Sequence, residues 1–260
     1  MNPELLEFAE DPAPHLPAVA DAELVVDDRF CAVVTPRGVD VSRLRLRVDQ
    51  VESTVAEIRT LAPPGVRVSW LVGASATPPD LPERLRALGC RDPEPPDEPH
   101  VSALAIDHAP PPGPPDVEVR RIETFDDFLV GLELMLAAAP WTEEGRARQR
   151  ENVEERYERR RRLEGGEWIA YLDGRPAAHA AAVAGARGVF LNGGATVEWA
   201  RRRGCYRALV RARWDEAVAR GTPALAVHAQ HGTSQPILER LGFRVACDLH
   251  ALSDEAPATP

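Results

Sequence analysis

Gly193-Gly194-Ala195-Thr196-Val197-Glu198-Trp199-Ala200-Arg201-Arg202-Arg203-Gly204-Cys205-Tyr206-Arg207-Ala208-Leu209 is the stretch on which the reading of this chain turns. An apolar, strand-like run over 188–197 enters a short arginine-rich loop with one glycine, and a helix-like run follows without a break. Proteins build anion sites from backbone in this way. Glycine permits close approach and unusual φ/ψ. The first turn of the following helix offers unpaired N–H groups at the positive end of its dipole. Flanking arginines add forked donors suited to phosphate. The stretch predicts a phosphate or pyrophosphate ligand.

Working outward, Arg207 to Arg220 reads as a helix with Val210, Trp214, Ala217 and Val218 as its buried stripe, and Gly221 as its stop. Arg211–Asp215 and Glu216–Arg220 are i,i+4 pairs on its outer face. A strand over 224–229, a short helix over 234–241 capped by Ser234, and Gly242-Phe243 opening a last hairpin through His250 complete the downstream part. Upstream, 117–122 alternates as a strand, 125–138 has helical spacing, and 142–163 is a charged, solvated helix. Asp173-Gly174 is a hairpin turn between strands at 168–172 and 177–183. Asn192-Gly193-Gly194 marks a bulge or splay in the strand before the loop.

The loop Arg201-Arg202-Arg203-Gly204-Cys205-Tyr206, in this context, resembles the cofactor loop of the GNAT family of acyl-CoA N-acyltransferases, Arg/Gln-x-x-Gly-x-Gly/Ala after a central strand. Tyr206 departs from it, standing where the family has Gly or Ala. The resemblance runs from about residue 116 to 252. It implies an α+β fold with a mixed, mostly antiparallel sheet flanked by helices. It also implies direct transfer of an acetyl group from acetyl-CoA to a primary amine. Backbone of Ala195, Thr196 and Val197 would pair with pantetheine. Arg202, Arg203, Gly204, Cys205, Tyr206 and Arg207 would hold the pyrophosphate. Asn192 and its neighbours would form an oxyanion hole.

Five prolines between 110 and 115 mark a stiff linker, so the chain divides into 1–112 and 116–260. The first unit echoes the second. A helix from Val48 to Leu61, a strand over 66–72 and a segment from Thr77 to Leu85 meet their counterparts at a shift that lays Thr77, Leu81, Glu83, Arg84 and Leu85 on Thr233, Ile237, Glu239, Arg240 and Leu241. That shift puts Val48 under Gly204, so the first unit has no phosphate loop; the chain resembles a tandem GNAT-like protein whose first unit is a smaller, degenerate copy. Residues 92–99 read as a Pro/acid-rich loop, and the tail from Ser253 as frayed.

Composition sets further bounds. All 31 basic residues are arginine, which excludes a Walker A loop and a pyridoxal Schiff-base lysine. The net charge of −10 makes nucleic acid a poor partner. The acidity is concentrated in residues 1–115, which hold 19 acidic and 10 basic groups. The four cysteines show neither zinc spacing nor a disulfide framework, and no metal site is expected. Without a signal-like start or a membrane-length apolar run, the expectation is a cytoplasmic monomer or homodimer.

The chemistry of transfer needs a proton acceptor and a donor for the leaving thiolate. His228, on the predicted fifth strand, is the candidate base; a structural histidine is the alternative. Glu198 is a second candidate base, acting through water. The family often places a tyrosine four residues before the final glycine, where this chain has Leu238. Tyr206, Tyr171 or solvent remain as proton donors. His231 lies near the place of a cofactor-binding asparagine. Cys205, at a helix N-terminus among arginines, is expected to have a lowered thiol pKa. The acceptor pocket falls to 125–163 and the first unit. The alternative to an enzyme is a non-catalytic acyl-CoA-binding regulatory module, and beyond it a pure interaction protein.

Overall fold

The computed structural model describes residues 1–17, 22–63, 65–93, 100–139 and 141–255. The chain opens with α1 (Pro3–Glu10), β1 (Glu23–Val26), β2 (Cys31–Thr35), β3 (Gly38–Ser42), α2 (Val51–Leu61), β4 (Arg67–Val72), α3 (Leu81–Ala87) and β5 (His100–Ile106). It continues with β6 (Val117–Arg121), α4 (Phe125–Ala138), α5 (Glu143–Arg150), α6 (Val153–Arg161), β7 (Gly165–Leu172), β8 (Arg175–Gly185) and β9 (Gly188–Thr196). Last come α7 (Cys205–Ala219), β10 (Leu225–Gln230), α8 (Gln235–Arg240) and β11 (Arg244–Glu255).

Two compact units result: Met1–Ala105 with His228–Pro260, and Ile106–Val227. The division differs from the linker-based one because α8 and β11 join the first unit. There β11 pairs antiparallel with both β4 and β5. The first unit orders its strands β1-β2-β3-β4-β11-β5, and the second β6-β7-β8-β9-β10.

The same half-fold recurs. In each unit an antiparallel meander ends in a strand from which a helix crosses to a parallel neighbour: β3 through α2 to β4, and β9 through α7 to β10. A short helix follows each parallel pair, α3 after β4 and α8 after β10, although α8 belongs to the first unit. The copies differ at the parallel pair. β3 and β4 are paired over four residues, from Gly38↔Arg67 to Val41↔Trp70. The β9–β10 register holds only for Val189↔Leu225 and Phe190↔Ala226, although β9 runs on to Thr196. Among the described residues, the rest of β9 pairs with a strand on its β8 side alone.

Packing follows the sequence pattern. Val51, Val55 and Ile58 of α2 meet Val39, Val41, Val68 and Trp70 in the first core. In the second unit α7 packs on β7, β8 and β9, while α4 packs on β8 and β9. A Cβ on Gly131 of α4 would meet His179, and one on Gly194 would meet Tyr206 of α7, so the two helices cover opposite faces.

Several local expectations need correction. The charged run over 142–163 is two helices, because Asn152 takes a left-handed conformation (φ 49°) that asparagine tolerates. In α7, Val218 is exposed and Arg213 is fully buried in its place. Ser234 does not cap α8; its hydroxyl accepts the Gln230 N–H at 3.0 Å. The final hairpin is a single strand, β11, and its end is ordered. Ser253 pairs with Ser69, and Asp254 meets Arg59 at 2.5 Å. The proline linker is no free spacer within its unit. Pro110 accepts from Arg211 at 3.4 Å, and Gly113 and Pro114 lie against Ala208 and Gly204. Of the loop at 92–99, residues 94–99 lie outside the described ones.

Candidate active site

The strand that decides the reading carries the expected bulge. Ala180 faces Gly194 while Ala181 faces Asn192, so Gly193, at φ 66°, is the extra residue. Asn192, Gly193 and Gly194 are exposed, and Ala195 and Thr196 half-buried. The bulge sits on the part of β9 that β10 leaves unpaired. Backbone groups along that edge are open to an extended ligand.

After Thr196 a single 3₁₀ turn (Glu198–Ala200) leads to Arg202 at φ 62° and Gly204 at φ 83°. Gly204 is the N-cap of α7 and has no side chain to satisfy its first N–H groups. The first helical bond runs from Ala208 N–H to Gly204 O at 3.0 Å. The N–H groups of Cys205, Tyr206 and Arg207 therefore precede the ladder. The glycine has a second reason beyond close approach by a ligand. A Cβ there would come within 2.4 Å of Pro114 Cγ.

The arginines divide. Arg201 is engaged, donating to Ala138 O at 3.0 Å and Thr196 O at 3.4 Å. Arg202 is exposed, and Arg203 lies 4.0 Å from Asp116. Arg207 Nε is buried with no hydrogen-bond partner among the described residues. An orphaned guanidinium nitrogen beside an uncapped helix start fits an anionic group. Cys205 is buried, and desolvation raises its thiol pKa against the pull of Arg203, the reverse of the sequence expectation.

Tyr206 lays its ring against the bare Cα of Gly194, and the Arg213 guanidinium lies 5.8 Å from the ring centroid. Arg213 donates to Leu209 O at 3.0 Å and Ala181 O at 3.3 Å, and its Nη2 has no partner among the described residues. Burial pulls its pKa down, with Tyr206 opposing. Tyr206 and Gly194 are thus brought together, whereas Tyr171 is stacked under Arg120 at 4.4 Å.

His228, on β10, and His231, in the turn after it, belong to the first unit. His228 Nε2 donates to Ala9 O at 2.9 Å, and burial lowers its pKa to about 4. It is neutral near neutral pH and holds the end of α1. His231 pairs with Ser102 at 3.0 Å and with Asp248 at 3.4 Å. Leu238 is fully buried. Glu198 is exposed. Among the described residues no cluster of three His, Cys, Asp or Glu side chains is arranged to hold a metal.

Sequence reading missed a cluster of Arg160, Glu167 and His179 in the second unit. Glu167 accepts from Arg160 Nε through one oxygen and meets His179 Nε2 at 2.8 Å through the other. These two partners overcome desolvation and hold its pKa at about 2. The only available signal was the Asp173-Gly174 hairpin, which places Glu167 and His179 on neighbouring strands. The expected strand began one residue too late to include Glu167.

A scan of protein-family models and a search of curated proteins found no match. Comparison with solved structures found many. A GCN5-related N-acetyltransferase from Kribbella flavida superposes with a TM-score of 0.67 at 16% identity, covering 96% of this chain and 95% of that one. The fold is that of the GNAT acetyltransferases. A second such protein, from Sphaerobacter thermophilus, has a TM-score of 0.56 at 19% identity over 91% of this chain and 84% of its own. A tandem GNAT protein from the clavulanic acid biosynthesis pathway has a TM-score of 0.59 at 17% identity, covering 94% of this chain and 86% of that one. The doubled half-fold agrees with that tandem arrangement. As a GNAT fold, the second unit has a bulged central strand, its one-sided pairing and the loop before α7 in one continuous segment. No helix among the described residues is long and apolar enough to cross a membrane.

Proposed function

We propose that the second unit is an acyl-CoA N-acyltransferase that moves an acetyl group from acetyl-CoA to a primary amine by direct transfer. The observation that carries this is the pairing of β9. Its register with β10 stops at Phe190, while the strand continues through the bulge to Thr196. Ala195 and Thr196 offer backbone to pantetheine; Val197, expected to join them, does not, because its N–H donates to Ala177 O at 3.1 Å and its carbonyl accepts from Ala200 N–H at 3.0 Å. The N–H groups of Cys205, Tyr206 and Arg207, the Gly204 turn, Arg202, Arg203 and the orphaned Arg207 Nε receive the pyrophosphate. Backbone at Asn192–Gly194 stabilises the carbonyl oxygen as the amine nitrogen bonds to the carbonyl carbon and the carbon–sulfur bond breaks. The amine proton leaves to solvent, and Tyr206, against Gly194, returns a proton to the departing thiolate. His228 is a structural residue in this reading, since its Nε2 is engaged by the α1 end and burial lowers its basicity. The first unit binds no second donor, because β3 and β4 are zipped along their length.

A second reading has specific support: a non-catalytic acyl-CoA-binding regulatory module. Leu238 is buried core where the family often has tyrosine, and His228 is engaged. Amine-dependent release of coenzyme A thiol from acetyl-CoA separates the two. Release stimulated by an amine supports the transferase. Tight acetyl-CoA binding without release by any of a broad amine panel supports the module.

A further inference from the structure

The second unit contains a cavity of about 270 Å³ that the transfer reading does not use. Phe128 of α4, Tyr157, Arg160 and Arg161 of α6, and Gly166 and Glu167 of β7 line it. Arg160 enters as a prepared donor. Its Nε is held by Glu167, whose side chain is only 11% exposed and is itself gripped by His179. Among the described residues neither Nη1 nor Nη2 of Arg160 has an intramolecular partner, so its terminal amino groups remain to bind a ligand. Arg121, by contrast, is engaged by Glu216 at 2.7 Å and by Gly165 O. Arg161 is paired with Glu158 at 3.2 Å and lies over the Tyr157 ring.

The cavity relates to the transfer site through the sheet register. Glu167 pairs with Ala181, and Ala181 with Asn192, so the three form one row on the α4 face. Two strand spacings, on the order of 10 Å, separate the ends of that row. Val183 and Phe190, half-buried, continue the same face one row further along.

We infer that this cavity seats the far end of the acceptor, and that the acceptor is an amine bearing a carboxylate on the order of 8–10 Å away. The inference rests on the acyl-transfer reading for the destination of the amine. An oriented guanidinium with free terminal donors matches a carboxylate in two-point geometry. Glu123 and Glu167 at the cavity add negative charge, which disfavours a dianion such as a phosphate monoester. Phe128 and Tyr157 supply an apolar wall for the spacer.

The test is calorimetric binding of glycine, γ-aminobutyrate, ω-aminohexanoate and ω-aminooctanoate, each against its amide, with and without coenzyme A. The longer carboxylates are expected to bind about tenfold or more tightly than their amides, as befits a charge-assisted bidentate contact. Glycine, too short to span the row, gains nothing. Arg160→Gln removes the carboxylate's advantage. Arg160→Lys keeps a charge opposite Glu167 but loses the fork; it retains thermal stability and only part of the advantage. Equal binding of acid and amide, no carboxylate binding at all, or an advantage that survives Arg160→Gln overturns the proposal. Failure of acetyl-CoA itself to bind would instead remove the transfer reading, and the calorimetry without coenzyme A keeps the two failures apart.

Discussion

Glu167→Gln is the perturbation whose consequence the structure fixes best. Glu167 is nearly buried, yet its pKa sits at about 2 against an ordinary 4.5, because His179 and Arg160 stabilise its charge. A depressed carboxylate contributes stability that is fully present above the unfolded value and lost as pH falls through the folded one. The window therefore runs from about pH 4.5 down to about 2. At 1.36 kcal/mol per unit, the difference amounts to about 3 kcal/mol. Glutamine keeps the shape and removes the charge, leaving Arg160 without its counter-ion and His179 without a carboxylate partner. The variant should be about 3 kcal/mol less stable than wild type at neutral pH. That deficit should close as the pH approaches 2. Urea unfolding followed by tryptophan fluorescence is the assay, since Trp141, Trp168, Trp199 and Trp214 all lie in the second unit. Parallel stability–pH curves for the two proteins would refute the reasoning, because the carboxylate would then hold no stabilising charge in the folded state.

Other outcomes follow from the same geometry. Gly204→Ala should lower thermal stability even without ligand, by at least the ~1–2 kcal/mol of a left-handed alanine, because Pro114 blocks its Cβ; a wild-type melting temperature would contradict this. His228→Ala should cost about 1–3 kcal/mol of stability through the lost bond to Ala9 and leave turnover per folded molecule unchanged, as steady-state kinetics beside a melting curve will show. Tyr206→Phe should lower turnover by no more than the ~10²–10⁴-fold of a general acid, with acetyl-CoA affinity measured alongside to expose any packing effect against Gly194. Residues 116–260 expressed alone should be insoluble, since β11 loses both β4 and β5; a soluble, active fragment would contradict the observed pairing.

The parts of this structure that were legible are those governed by local chemistry. Helix α4 runs over the expected residues, and a reciprocal capping box between Thr124 and Asp127 fixes its start. The Asp173-Gly174 turn and the Gly193 bulge depend on glycine or aspartate at positive φ, which sequence announces. The Arg211–Asp215 pair is likewise local, at 2.9 Å. What escaped is tertiary. Arg213 looks like any helical arginine until the helix is laid on β8, where Ala181 O receives it. Cys205 sits where dipole and arginines favour a thiolate, but burial outweighs them. The Glu167–His179 pair is assembled across two strands with a bulge between the turn and the pair, so spacing alone does not bring them together. His228 reads as a candidate base on the predicted fifth strand, while its partner, Ala9, is 219 residues away in sequence.

The central claim is that the open edge of β9 and the start of α7 form a single acyl-CoA site in this chain. Calorimetric titration of the full-length protein with acetyl-CoA tests it most directly. Binding at a stoichiometry near one per chain, weakened by Arg207→Gln and by removal of the ligand's pyrophosphate, is the result the account requires. A stoichiometry near two, no binding, or binding indifferent to both changes would contradict it.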